Sequence, residues 1–154
     1  MRLIIDVSAD GQRLPISRAR VKDIAAGVLR SERVRHALVS IAFVSKREIA
    51  RLNRRHLGHA GPTDVISFAL GGTARAARQP IVGDIYIAPD VARENAARYR
   101  TSARDELARL VIHGTLHVLG YDHPDGDERT ASPMWKRQER LLSTLGPRRQ
   151  ASAR

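Results

Sequence analysis

Apolar residues fall in two rhythms along this chain. Residues 3–7 (LIIDV), 38–44 (LVSIAFV), 64–70 (DVISFAL) and 82–88 (VGDIYIA) are short apolar runs of strand length. Elsewhere the spacing is helical. After Ser17, Val21, Ile24, Ala25, Val28 and Leu29 share one helix face. Ser45 and Glu48 form an S-x-x-E capping box, which predicts a helix over about Lys46 to Leu57 with Ile49 and Leu52 inward. Pro89 and Asp90 open a further helix that reaches about Tyr99.

Thr101 or Ser102 can cap the next helix, whose first turn holds Asp105 and Glu106, where carboxylates favour the helix dipole. Leu107, Leu110, Val111, Ile112, Leu116, Val118 and Leu119 occupy most of its circumference, so it should be the buried central helix, ending at Gly120. Ser132 caps a last helix that begins with Pro133 and carries the stripe Met134, Trp135, Gln138, Leu141, Leu142 and Leu145 before Gly146 and Pro147. With strands early and helices late, the pattern predicts an α+β fold. Its sheet is small, mixed and roughly four-stranded, packed with about five helices in a single domain over residues 1–147. Residues 71–80 (GGTARAARQP) read as a mobile hairpin loop, and 148–154 as a basic, disordered tail.

Composition narrows this picture. The absence of cysteine excludes a disulfide framework and thiolate metal sites. Asp6 interrupts the first apolar run and no segment has the length of a membrane span, so a cytoplasmic protein without a membrane partner is expected. The net charge of +11 comes almost entirely from arginine. Such a surplus favours acidic partners such as phosphate, although an Arg- and Ala-rich composition produces the same number without one. Two Phe, three Tyr and one Trp leave little material for an extended base-stacking platform.

The chemistry concentrates in residues 113–123, HGTLHVLGYDH. His113 and His117 lie four residues apart and so project from one helix face, the spacing that two ligands of one metal ion need. After the turn at Gly120, His123 can swing back to the same point. Three imidazoles leave a tetrahedral ion one open position, as catalytic zinc sites do. Imidazole ligands suit zinc, which is the ion expected, and nickel or copper also binds such a site. The spacing is that of zinc peptidases that carry a general-base Glu directly after the first His. Here Gly114 takes that place, so the peptidase reading lacks its proton acceptor. A helix-interior glycine costs about 1 kcal/mol relative to alanine, which points to close approach of a packed strand or a bulky substrate. Asp122 is either an orienting acceptor for a ligand histidine or a turn residue. Glu106 reads as a first-turn residue rather than a base, and His36, His56 and His59 as solvated or structural.

HGTLHVLGYDH resembles the signature of the YbeY family, single-strand-specific endoribonucleases of ribosomal RNA maturation. PTDVISF (62–68), LN (52–53), GDI (83–85) and MWKRQERLLSTLG (134–146) are also similar to segments of that family. The resemblance implies a zincin-like central helix and one zinc ion on His113, His117 and His123, through which these residues act in catalysis. It implies 16S ribosomal RNA as substrate, in 3′-end maturation and ribosome quality control. The implied partners are the small ribosomal subunit and its assembly factors, with no DNA expected. Where the family pattern has an arginine that contacts RNA phosphate, this chain has Leu57; Arg54 and Arg55 are the neighbouring candidates for that contact. Two alternatives accompany this reading: a non-catalytic, zinc-stabilised ribosome-assembly factor, and a zincin-type metalloprotease.

Overall fold

The structure is a computed structural model that describes residues 2–72, 79–124 and 126–147, with the side chain of Asp127 excepted. The elements run β1 (Arg2–Ser8), α1 (Arg18–Ser31), β2 (His36–Phe43), α2 (Lys46–Leu52), β3 (Val65–Gly71), β4 (Ile81–Ile87), α3 (Pro89–Tyr99), α4 (Ala103–Val118) and α5 (Pro133–Leu145). A π-helical turn, Asn53–Leu57, follows α2, and a 3-10 turn, Gly126–Ala131, precedes α5. The four strands form one mixed sheet in the order β1-β2-β4-β3. β1, β2 and β4 are parallel, and β3 runs antiparallel to β4 as the second arm of a hairpin. This is the mixed sheet with five helices that the apolar rhythm predicts. Residues 73–78 of the expected hairpin loop and the expected tail at 148–154 lie outside the described residues. Among the described residues, no helix is long and apolar enough to cross a membrane.

Strand alternation decides which helices lie on which face. On β4, Ile81, Ile85 and Ile87 are buried and join Val39, Ile41 and Phe43 of β2 in the main core against α1, α4 and α5. On the opposite face Ile66 of β3 packs with Ile49 and Leu52 of α2, with Phe68 and Tyr86 beside them. The sheet is thus covered by α1 and α4 on one side and capped by α2 at the β3–β4 end of the other.

The helix expected over 46–57 divides at Asn53. There the backbone widens into the π-helical turn, which Gly58 ends in the left-handed region at φ 68°. Asn53 is buried and its Nδ2 donates to the Gly61 carbonyl at 3.0 Å, drawing the following loop back against the end of the helix.

α4 is the buried central helix. Leu107, Val111, Ile112 and Leu116 are fully buried, and α4 meets β3, β4, α1, α3 and α5. Ser102, rather than Thr101, caps it: its Oγ accepts from the Asp105 N–H at 3.0 Å. Of the two neighbours that Gly114 could admit, the structure shows the packed strand. A Cβ at Gly114 would lie 2.7 Å from Ile85 Cγ2 and 3.1 Å from Ser67 Oγ. Glycine therefore lets α4 sit close upon β3 and β4. At its far end Gly120 adopts φ +101°, a conformation that disfavours any side chain, and the chain turns there.

Candidate metal centre

His113 and His117 project from the last two turns of α4, and His123 returns from the turn beyond Gly120. Their ring centroids are 4.6 Å (113–117), 5.1 Å (113–123) and 5.0 Å (117–123) apart, with interplanar angles of 80°, 48° and 53°. The rings therefore converge from three directions instead of stacking. One nitrogen from each lies within 4.8 Å of the others.

Hydrogen bonds to the other ring nitrogens decide what these atoms can do. His113 Nδ1 faces Gln138 Oε1 at 2.6 Å, His117 Nδ1 faces the Tyr121 carbonyl at 2.9 Å, and His123 Nδ1 faces the Pro124 carbonyl at 3.1 Å. Each partner is a carbonyl oxygen, which only accepts, so each neutral ring carries its proton on Nδ1 and leaves the Nε2 lone pair available. Three such lone pairs form a ligand set for a divalent ion such as zinc, with room for a further ligand. The donor chemistry thus fits a metal.

Electrostatics support the same state. Burial holds the His113 imidazole down to about 3, with the neighbouring His117 as the next cause. His117 is also lowered, chiefly by burial, although its bond to the Tyr121 carbonyl works the other way. Rings that resist protonation are ready ligands, because a proton and a metal compete for the same lone pair.

A relay of polar side chains supports His113 from behind. Gln138 Nε2 donates to Glu139 Oε2 at 3.1 Å, which sets the amide so that Oε1 faces the histidine. Glu139 in turn takes two bonds from Arg109, at 3.0 and 3.2 Å, and Arg109 Nη1 donates to Glu106 Oε1 at 2.8 Å. Glu106 is buried in the first turn of α4, and burial raises its carboxyl pKa despite the Arg109 contact. The loop behind His117 is also tied down: the Tyr121 hydroxyl donates to Glu32 at 2.7 Å, and Arg137 donates to the same oxygen at 3.1 Å.

The three histidines meet as their spacing predicts, whereas these supports carry little mark in the sequence. The available signal for Gln138 was an amide within an otherwise apolar stripe. Asp122 does not meet a ligand ring; its Oδ1 accepts from the His123 backbone N–H at 2.8 Å, as in a tight turn. The carbonyls of Gln138, Tyr121 and Pro124 occupy the ring nitrogens instead. Arg54 and Arg55 are exposed on the π-helical turn. That turn lies on the α2 side of β3, where His56 meets the edge of Phe68 with centroids 5.4 Å apart. The adjacent Ser67 points to the opposite face, against Gly114. Leu57 is 48% exposed on the same turn, and His36 and His59 are exposed and outside the cluster.

The cluster borders a cleft of about 590 Å³ lined by Asp64 ahead of β3 and by residues of α3, α4, the 3-10 turn and α5, His113 among them. Comparison with known proteins gives the family. The family model described as Endoribonuclease YbeY matches residues 7–146. The Endoribonuclease YbeY of Bacillus licheniformis is 37% identical over 155 residues, covering 95% of this chain and 97% of that protein. The protein of the same name from Syntrophus aciditrophicus is 33% identical, covering 94% and 91%. Among solved structures, the solution structure of TM1509 from Thermotoga maritima superposes with a TM-score of 0.62 at 27% identity, covering 92% of this chain and 89% of that one. With a match across nearly its whole length, this chain belongs to the endoribonuclease YbeY family.

Proposed function

We propose that this protein is a zinc-dependent endoribonuclease that cuts single-stranded RNA, with precursor 16S ribosomal RNA as its substrate. The observation that carries the reading is the convergence of three imidazoles whose Nδ1 atoms are all committed to carbonyl oxygens. His113, His117 and His123 hold the ion. When bound, zinc supplies Lewis acidity toward a phosphoryl oxygen and toward water. Gln138, the Tyr121 carbonyl and the Pro124 carbonyl keep the three rings in the ligating tautomer. Exposed arginines contact the RNA backbone, with Arg54 and Arg55 assigned to flanking phosphates.

Support for the RNA assignment comes from family membership and from the +11 charge, which suits a polyanion. A peptidase role is disfavoured by Gly114, which faces Ile85 and Ser67 and has no carboxylate to offer. The zinc dependence, the 3′-end maturation step, a part in ribosome quality control, association with the small subunit and its assembly factors, and a cytoplasmic location are parts of this proposal. Its test is incubation of the zinc-loaded protein with a 16S fragment extended at the 3′ end, beside a duplex of the same sequence and casein. Cleavage confined to the single-stranded extension is expected. Binding to ribosomal particles without cleavage at any metal loading would favour the non-catalytic assembly factor, and casein digestion would favour the peptidase.

A further inference from the structure

The cleft beside His113 has features that the metal centre does not use. Its volume of about 590 Å³ lies within the ~300–1,000 Å³ range of small-molecule sites. Two aromatic side chains line it, Tyr99 at the end of α3 and Trp135 in the first turn of α5. Tyr99 is 66% exposed, so its ring is accessible to a ligand in the cleft.

Charge is divided within the cleft. Glu106 is bound to Arg109, Arg109 is also engaged by Glu139, and Asp64 accepts from Asn95 at 3.1 Å. Arg129 is different: its guanidinium lies over the Trp135 ring, 5.9 Å from the centroid, and its Nε is buried with no acceptor among the described residues. It lines the same cleft as His113. A cation beside a site for a divalent ion opposes metal binding unless an anion comes between them. That condition is met by a phosphodiester lying between Arg129 and His113, both of which line the cleft. Beyond it, the cleft offers aromatic faces and, at Asp64, an acceptor for base amino groups.

We infer that this cleft binds one unpaired nucleotide of single-stranded RNA, with its phosphate at Arg129 and its base against Tyr99 and Trp135. This rests on the endoribonuclease reading and adds the element that discriminates against duplex, because a paired base cannot leave its stack to enter the cleft without an unstacking cost. The scarcity of aromatic residues is no obstacle, since one nucleotide needs only one or two rings.

Trp135 is the chain's one tryptophan, so its fluorescence reports directly from the cleft. The zinc-loaded full chain is titrated with a short 2′-O-methyl RNA strand, with the same strand annealed to its complement, and with adenosine monophosphate. The single strand should quench Trp135 saturably, the duplex should not, and the mononucleotide should bind more weakly than the strand. Tyr99→Ala should weaken strand binding about tenfold or more at an unchanged melting temperature, with Tyr99→Phe restoring it. Arg129→Gln should lower the slope of log affinity against log salt by ~0.7, the value for one single-strand phosphate. Equal quenching by duplex and single strand, binding of the mononucleotide alone, or wild-type affinity in both Tyr99→Ala and Arg129→Gln would overturn the inference. If the wild type cuts RNA and these variants bind and cut like it, the cleft assignment falls and the endoribonuclease reading stands. If Trp135 responds as expected but no RNA is cut at any zinc loading, the endoribonuclease reading falls alone.

Discussion

Gln138 of α5 accepts a hydrogen bond from His113 of α4 at 2.6 Å, joining two helices at the edge of the metal centre. The bond fixes the tautomer of the most buried ligand, and the amide is itself held by Glu139 and, through it, Arg109. Replacing Gln138 with Leu keeps the volume near constant and removes the acceptor. Zinc affinity, measured by competition with a chromophoric chelator, should fall roughly 10–100-fold, the usual effect of losing a partner of a metal-binding histidine. Unchanged affinity would show that the ring needs no such support.

Arg109 satisfies two carboxylates at once, one of them buried. Arg109→Leu would leave Glu106 facing the interior without its cation. A loss of about 3 kcal/mol is expected in urea unfolding, near the lower end for a broken buried ion pair because Arg109 and Glu139 are partly exposed. The double variant Arg109→Leu with Glu106→Gln should recover part of that loss.

Gly114→Ala sets two effects against each other. Alanine favours the helix by about 1 kcal/mol, but its Cβ would lie 2.7 Å from Ile85 Cγ2, a branched core atom with little freedom to move. Overpacking of this kind costs ~1–3 kcal/mol, so the variant should melt lower than the wild type and bind zinc more weakly. A higher melting temperature would mean that the close contact with β4 is not the reason for glycine.

Acid should destabilise the metal-free protein. His113 takes up a proton only near pH 3 when folded, whereas in the unfolded chain it does so near the ordinary histidine value of 6.5. Below 6.5 the unfolded state therefore binds more protons, and stability falls as pH drops toward 3. Denaturant midpoints across this range should show the decline. In His113→Gln the contribution of this residue should be absent, flattening the profile.

Much of this molecule is legible in its sequence because the relevant signals are local. Apolar alternation gives four strands. The capping signals at Ser45, at Thr101 or Ser102, and at Ser132 mark three helix starts that the structure reproduces, the middle one at Ser102. The i, i+4 histidines and the glycine turn define a ligand set without any tertiary information. What escaped depends on contacts distant in sequence. Gln138 reaches His113 across 25 residues, and Glu32 anchors Tyr121 across 89. The cleft is assembled from α3, α4, the 3-10 turn, α5 and Asp64 ahead of β3, so neither the exposure of Tyr99 nor the position of Arg129 over Trp135 has a local sequence mark. The π-helical turn at 53–57 also has no local mark, because the capping box at Ser45 and the spacing of Ile49 and Leu52 read as an ordinary helix through Leu57.

The central claim is that His113, His117 and His123 hold one ion on which RNA cleavage depends. Its most direct test pairs metal content with cleavage of a single-stranded RNA by the wild type and by His117→Ala, before and after chelation. One zinc per wild-type chain is expected, with cleavage lost on chelation and restored by added zinc, while His117→Ala neither retains the ion nor recovers activity. Cleavage at the wild-type rate by the chelated protein or by His117→Ala would contradict the claim.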